Sequence, residues 1–147
     1  MSSRHTIIGV CQYGNYLAIG CKPSVAGLGK SVVYLWDRNA SLTTLSESID
    51  WSEGDLAGIA NIEGRIVGVS NISGNTSFSI TPKIAVKMYA GGVPVLMKEI
   101  SDTTITARIN PIVKNDKFYF AVLSSNFNGI FVFGRRTQNQ EFATTVD

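Results

Sequence analysis

Glu53 and Asp55 stand two residues apart in one polar stretch, and a pair of carboxylates is what acid–base hydrolysis of a glycosidic bond requires. At so short a spacing such a pair more often caps a turn or stays in water. Every other ingredient of catalysis is scarce. The chain has a single histidine, His5, close to the N-terminus, so a Ser/His/Asp or Cys/His arrangement has little to build on. One histidine and two cysteines are too few ligands for a zinc site. The run Gly27-Leu28-Gly29-Lys30 lacks the spacing of a phosphate-binding loop and precedes a strand-like segment, not a helix. These residues predict no enzyme, no bound metal and no cofactor.

Composition narrows the classes further. A chain of 147 residues, 44% hydrophobic and 16% charged, predicts one folded domain over 1–147 with a real core. A net charge of +2 without a Lys/Arg run predicts no nucleic-acid partner. The pair Arg135-Arg136 reads as a device that keeps a strand end soluble. The longest unbroken apolar run, Phe118–Leu123, falls well short of the ~18 residues a membrane helix needs, so no membrane partner is expected. Met1-Ser2-Ser3-Arg4-His5 leads straight into strand-like sequence with no signal-peptide core. Localisation is otherwise open. Asn39-Ala-Ser, Asn71-Ile-Ser and Asn75-Thr-Ser then count as chance matches to the glycosylation acceptor.

The elements that position these residues are short apolar segments. His5–Tyr13, Tyr16–Cys21, Ser31–Asp37 and Ser41–Ser48 make a first group of four, joined to the next by Ile49–Gly54. Leu56–Ile62, Arg65–Ser70, Ile84–Tyr89 and Val93–Ile100 make a second, and Thr103–Val113, Lys117–Leu123, Ile130–Arg135 and Glu141–Val146 a third. Tight turns at Gly14-Asn15, Glu63-Gly64 and Asn115-Asp116 follow the first segment of each group. The turn-exit residues Asn15, Gly64 and Asp116 step by 49 and 52, a structural repeat whose loops absorb the variation. Each group predicts one four-stranded antiparallel meander, and the chain is all-β with essentially no helix.

Val32–Trp36, Ile84–Met88 and Phe118–Leu123 are apolar on both faces. Such strands need a sheet stacked on each side. If Gly14-Asn15 is a two-residue turn, Cys11 pairs with Ala18 and Cys21 points to the opposite face, which argues against a disulfide. Two buried free thiols are compatible with the cytoplasm or with a virus particle.

With four strands and about 50 residues per unit, the chain resembles the β-propeller repeat proteins, and the resemblance covers nearly all of it. It is one of architecture. Trp36-Asp37 is similar to the dipeptide that closes a WD40 strand, but Met88-Tyr89 and Phe133-Gly134 stand in its place in the other units. The Asp-x-Gly-x-Thr-Trp core of sialidase repeats is absent. The resemblance implies three blades, about 5–50, 55–102 and 103–147. Because propellers close with about four to eight blades, it also implies an incomplete ring, finished by self-association or by the rest of a longer chain.

In a meander, connections one and three lie at one end of the sheet, and two and four at the other. The long stretches Lys22–Gly29, Ile49–Asp55, Asn71–Pro82, Ser101–Thr103 and Ser124–Gly129 are then expected to share one face. Its partner-binding residues would be Trp51, Glu53, Asn71, Asn75, Asn126, Phe127 and Asn128. Amides beside aromatic rings suit a protein or a glycan partner. The leading expectation is a non-catalytic binding or assembly module, compatible with a structural part of a virus particle. The alternatives are a carbohydrate-binding module made by self-association, and a fragment of a propeller hydrolase whose other catalytic residues lie on further blades.

Overall fold

The computed structural model describes residues 5–24, 30–40, 45, 47–52, 54–72, 81–101, 106–114, 117–123, 128–136 and 139–146, with side-chain packing described chiefly up to residue 101. Twelve strands run through them: β1 (His5–Tyr13), β2 (Tyr16–Pro23), β3 (Ser31–Asp37), β4 (Glu47–Ser52), β5 (Asp55–Ile62), β6 (Arg65–Ile72), β7 (Lys83–Tyr89), β8 (Val95–Ser101), β9 (Thr106–Lys114), β10 (Lys117–Leu123), β11 (Asn128–Arg136) and β12 (Asn139–Val146). They pair in chain order, antiparallel throughout, as β1-β2-β3-β4, β5-β6-β7-β8 and β9-β10-β11-β12. Among the described residues no strand of one sheet forms a backbone ladder with a strand of another.

The first strand of each sheet carries surplus backbone. Ile7 and Gly9 in β1 oppose the adjacent residues Cys21 and Gly20, leaving Ile8 as the extra residue. Leu56 and Gly58 in β5 oppose Ser70 and Val69, leaving Ala57. In β9 the step from Arg108 to Ile112 spans the shorter step from Ala121 to Tyr119. Leu56 and Gly58 stand 49 residues after Ile7 and Gly9, so the bulge repeats at the spacing of the turns. A bulge bends its strand and raises the local twist.

Alternation decides what each sheet buries. In the first sheet Ala18, Val33, Leu35, Ile49 and Trp51 share one face and pack against Leu56, Ile59, Ile66 and Tyr89 of the second, with Ile8, Cys11 and Tyr13 alongside. Fully burying an aliphatic side chain contributes about 1.5–3 kcal/mol, so this contact is a major part of the core. Gly9 and Gly20 open a hollow in the first sheet that Ile59 fills, its side chain lying 3.9 Å and 3.1 Å from where their Cβ atoms would be. Strands β5–β7 of the second sheet are buried on both faces: Val67, Val69, Val86 and Met88 alternate with Ile66 and Tyr89, and all are buried. The strand β9 lies against β5, β6 and β7.

The strand boundaries correct the expectation in one place that matters. The fourth strand of the first sheet is Glu47–Ser52, not Ser41–Ser48, and the segment expected to be a linker at 49–52 is part of it. Ile49 and Trp51 share the buried face of that strand, and this apolar alternation outweighs the polar run before it. The connection between β3 and β4 is therefore nine residues (38–46), while β4 reaches β5 through Glu53-Gly54 alone. Long connections are distributed over both ends of the sheets, and the single long-loop face expected from the sequence is not what forms.

Candidate functional site

The crossover from the first sheet to the second is the most constrained polar point among the described residues. Ser31, 1% exposed, sits at the start of β3. Its Oγ donates to the Gly54 carbonyl at 2.8 Å and accepts the Leu56 N–H at 2.8 Å. A hydroxyl that serves both roles is fully satisfied in the interior. Gly54 has φ 91°, and a Cβ there would come 2.6 Å from the Asn71 carbonyl oxygen and 2.8 Å from the Ile72 side chain. Only glycine lets the chain turn this closely against β6.

Trp51 lies beside this crossover and is 0% exposed. Its ring covers Gly68 in β6, whose Cβ, if present, would sit 2.6 Å from the ring. The indole N–H is buried with no hydrogen-bond partner among the described residues, and the Lys87 ammonium donates to the Trp51 carbonyl at 3.3 Å. Trp51 therefore leaves the set of partner-binding residues. A ring enclosed between two sheets offers no platform to a sugar or a peptide. Its position in β4, alternating with Ile49, was the available signal.

Of the other expected residues, Asn71 is half-buried in β6, paired with Asp55 on one side and Ile84 on the other. It adjoins the crossover. Asn128 opens β11 opposite Leu123. Glu53, Asn75, Asn126 and Phe127 lie outside the described residues. The structure thus places Trp51 and Asn71 beside the crossover.

The opposite end of the sheets carries a second polar link. The Asn61 amide donates to the Gln12 carbonyl at 2.6 Å, and its Oδ1 accepts the Gly64 N–H at 3.1 Å. Gln12 and Asn61 are 49 residues apart, and each also bonds its own turn, Gln12 through Gly14. The Tyr13 and Tyr89 rings meet at a tilt of 55° across the same junction, with centroids 5.6 Å apart. Burial raises the Tyr89 phenol above its usual range, and its bond to Glu47 adds to the shift. The Asp37 carboxylate accepts the Asn39 N–H at 2.9 Å, so the acid of the Trp36-Asp37 pair makes a turn.

Cys11 pairs with Ala18, and neither cysteine is in a disulfide. Burial pushes the Cys11 thiol up to about 12 and raises that of Cys21, so both are neutral and poor nucleophiles near pH 7. Among the described residues no three His, Cys, Asp or Glu side chains gather where a metal could sit.

Several large apolar side chains are left open to solvent. On the first sheet, the face turned away from the second has Ile7 at 50% and Val10 at 55% exposure. On the second sheet, Val95, Leu96 and Met97 of β8 and the preceding Val93 are exposed. These apolar surfaces are the strongest functional candidates among the described residues. Comparison with family models, with curated proteins and with solved structures gave no match.

Proposed function

We propose that this chain is a non-catalytic binding or assembly module whose sheets are propeller-type blades. The observation that carries this reading is that β5–β7 of the second sheet are buried on both faces, with strands of the other sheets lying against them. Radial stacking of meanders, each entered by its innermost strand, gives that pattern. The adjacency of β1 to β5 and of β5 to β9 agrees with such an arrangement, as does the bulge repeated in each of these strands. Burial of this kind holds a scaffold rigid, and its exposed apolar surfaces suit protein partners better than a small substrate.

The test is an experimental structure of the chain. Sheets arranged around a common axis with β1, β5 and β9 nearest to it support the reading. First strands hydrogen-bonded to each other in one continuous barrel overturn it. A partner on the connections at 24–30 and 73–82, the longest of those that share an end, is part of the same proposal.

A further inference from the structure

The packed faces of the first two sheets come to an end where β1 turns into β2 and β3 finishes. Strand pairing sets Tyr13 opposite Tyr16, and Tyr16 opposite Asp37. Ala18 and Leu35, two residues further into β2 and β3, belong to the core shared with the second sheet. Side chains alternate along a strand, so Tyr16 and Asp37 lie on that same face. Glu47 pairs with Leu35 and joins the face from β4. The second sheet contributes Tyr89, whose ring meets that of Tyr13 at 5.6 Å and whose phenol is bonded to Glu47. Exposure rises outward: Tyr89 is 3% exposed, Tyr13 and Asp37 are half-buried, and Tyr16 and Glu47 are open to solvent. Three rings and two carboxylates therefore gather at one mouth.

Among the described residues no cation pairs with Asp37 or Glu47; the ion pairs lie elsewhere, at Lys30–Asp50 and Lys83–Glu99. Arg38, next to Asp37, donates to the Asn15 carbonyl at 3.4 Å, and Arg65 contacts the Met88 sulfur at 3.6 Å. Aromatic rings beside carboxylates attract an organic cation through both the ring quadrupole and the charge. The state of the acids decides which cation fits. Asp37 Oδ1 accepts the Asn39 N–H, and Tyr89 takes an acceptor position on Glu47. A guanidinium binds best to both oxygens of one carboxylate, and each of these acids already has one acceptor position in use. An ammonium carries three donors that point in different directions. Asp37 and Glu47 are diagonal neighbours across β3 and β4, and such neighbours lie about 7–8 Å apart, so one ammonium between them can bond an oxygen of each. We propose that this mouth binds the side-chain ammonium of a lysine on a protein partner. The site needs only the packing of the first two sheets and stands apart from the propeller-type arrangement.

The experiment is a nuclear magnetic resonance titration of the full chain with Nα-acetyl-lysine methylamide, read at the tyrosine ring signals. The Nε-acetylated form of the same compound serves as the uncharged control. Saturable shifts of the Tyr13 and Tyr16 rings are expected with the charged compound and none with the control. The arginine counterpart is expected to bind about fivefold more weakly or worse. Glu47→Gln and Tyr16→Leu are each expected to weaken binding about fivefold while keeping the wild-type circular dichroism. Tyr16→Phe, which keeps the ring, should bind as the wild type does, and so should Glu99→Gln, which removes a carboxylate of the second sheet. No saturable shift up to about 100 mM in the folded wild type overturns the proposal. So does equal binding of the acetylated control, or binding indifferent to both Glu47→Gln and Tyr16→Leu.

Discussion

The first and second sheets follow one plan and differ in how much of it is covered. Ile59 and Val10 hold the same place in their sheets, yet Ile59 is 6% exposed, wedged over Gly9 and Gly20, while Val10 is 55% exposed. The chemistry of the two positions is alike and only the neighbour differs. Apolar side chains on both faces are thus a property of the repeat, and burial is a property of what stacks on it. Among the described residues this cover is present on both faces of β5–β7, while Ile7 and Val10 of the first sheet remain exposed.

The largest effect is expected at the shared contact. Trp51→Ala removes the largest fully buried side chain and should cost about 3–5 kcal/mol of stability, read from urea denaturation. Ile59→Ala should cost about 2–4 kcal/mol, against less than about 1 kcal/mol for Val10→Ala in dilute solution. Equal losses at these two positions would break the comparison between the sheets.

Glycines sharpen it next. Gly54→Ala combines left-handed backbone with a Cβ 2.6 Å from the Asn71 carbonyl oxygen and is expected to cost about 2–3 kcal/mol. Gly14 has φ 56° but nothing within 4 Å of its Cβ position, so Gly14→Ala should cost only about 1 kcal/mol. Thermal unfolding of both variants measures the part due to crowding at the crossover.

The smallest effect is a pH dependence. Cys11 lies between the two sheets, with its thiol pushed up to about 12 from the ordinary 9.0. Above pH 9 the unfolded chain releases this proton while the folded chain keeps it. Stability is therefore undiminished below pH 9 and falls as pH rises toward 12. Cys21 and Tyr89, also raised, add to the fall in the same direction. Cys11→Ala should flatten the decline in denaturation midpoints measured between pH 8.5 and 11.

Strand content was legible because the residues concerned are decisive locally. Gly14-Asn15 and Glu63-Gly64 set two-residue turns, and the register they impose placed Cys11 opposite Ala18 as observed. The candidate site was far less legible. Trp51 read as a loop aromatic because Ser, Asp and Gly surround it, and only its alternation with Ile49 pointed inward. The bulges at Ile8 and Ala57 had no signal, since an extra residue in a strand changes the pairing and not the composition. The polar stretches drew attention to loops, whereas the open surface of Ile7 and Val10 looked like ordinary core.

The central feature of the fold is the face-to-face packing of the first two sheets with Trp51 enclosed between them. Acrylamide quenching of Trp51 fluorescence in a Trp36→Phe background tests this directly, since the chain has two tryptophans. The account predicts blue-shifted emission and quenching several-fold weaker than for free tryptophan, both abolished on unfolding. Emission and quenching equal to those of the unfolded chain would contradict it.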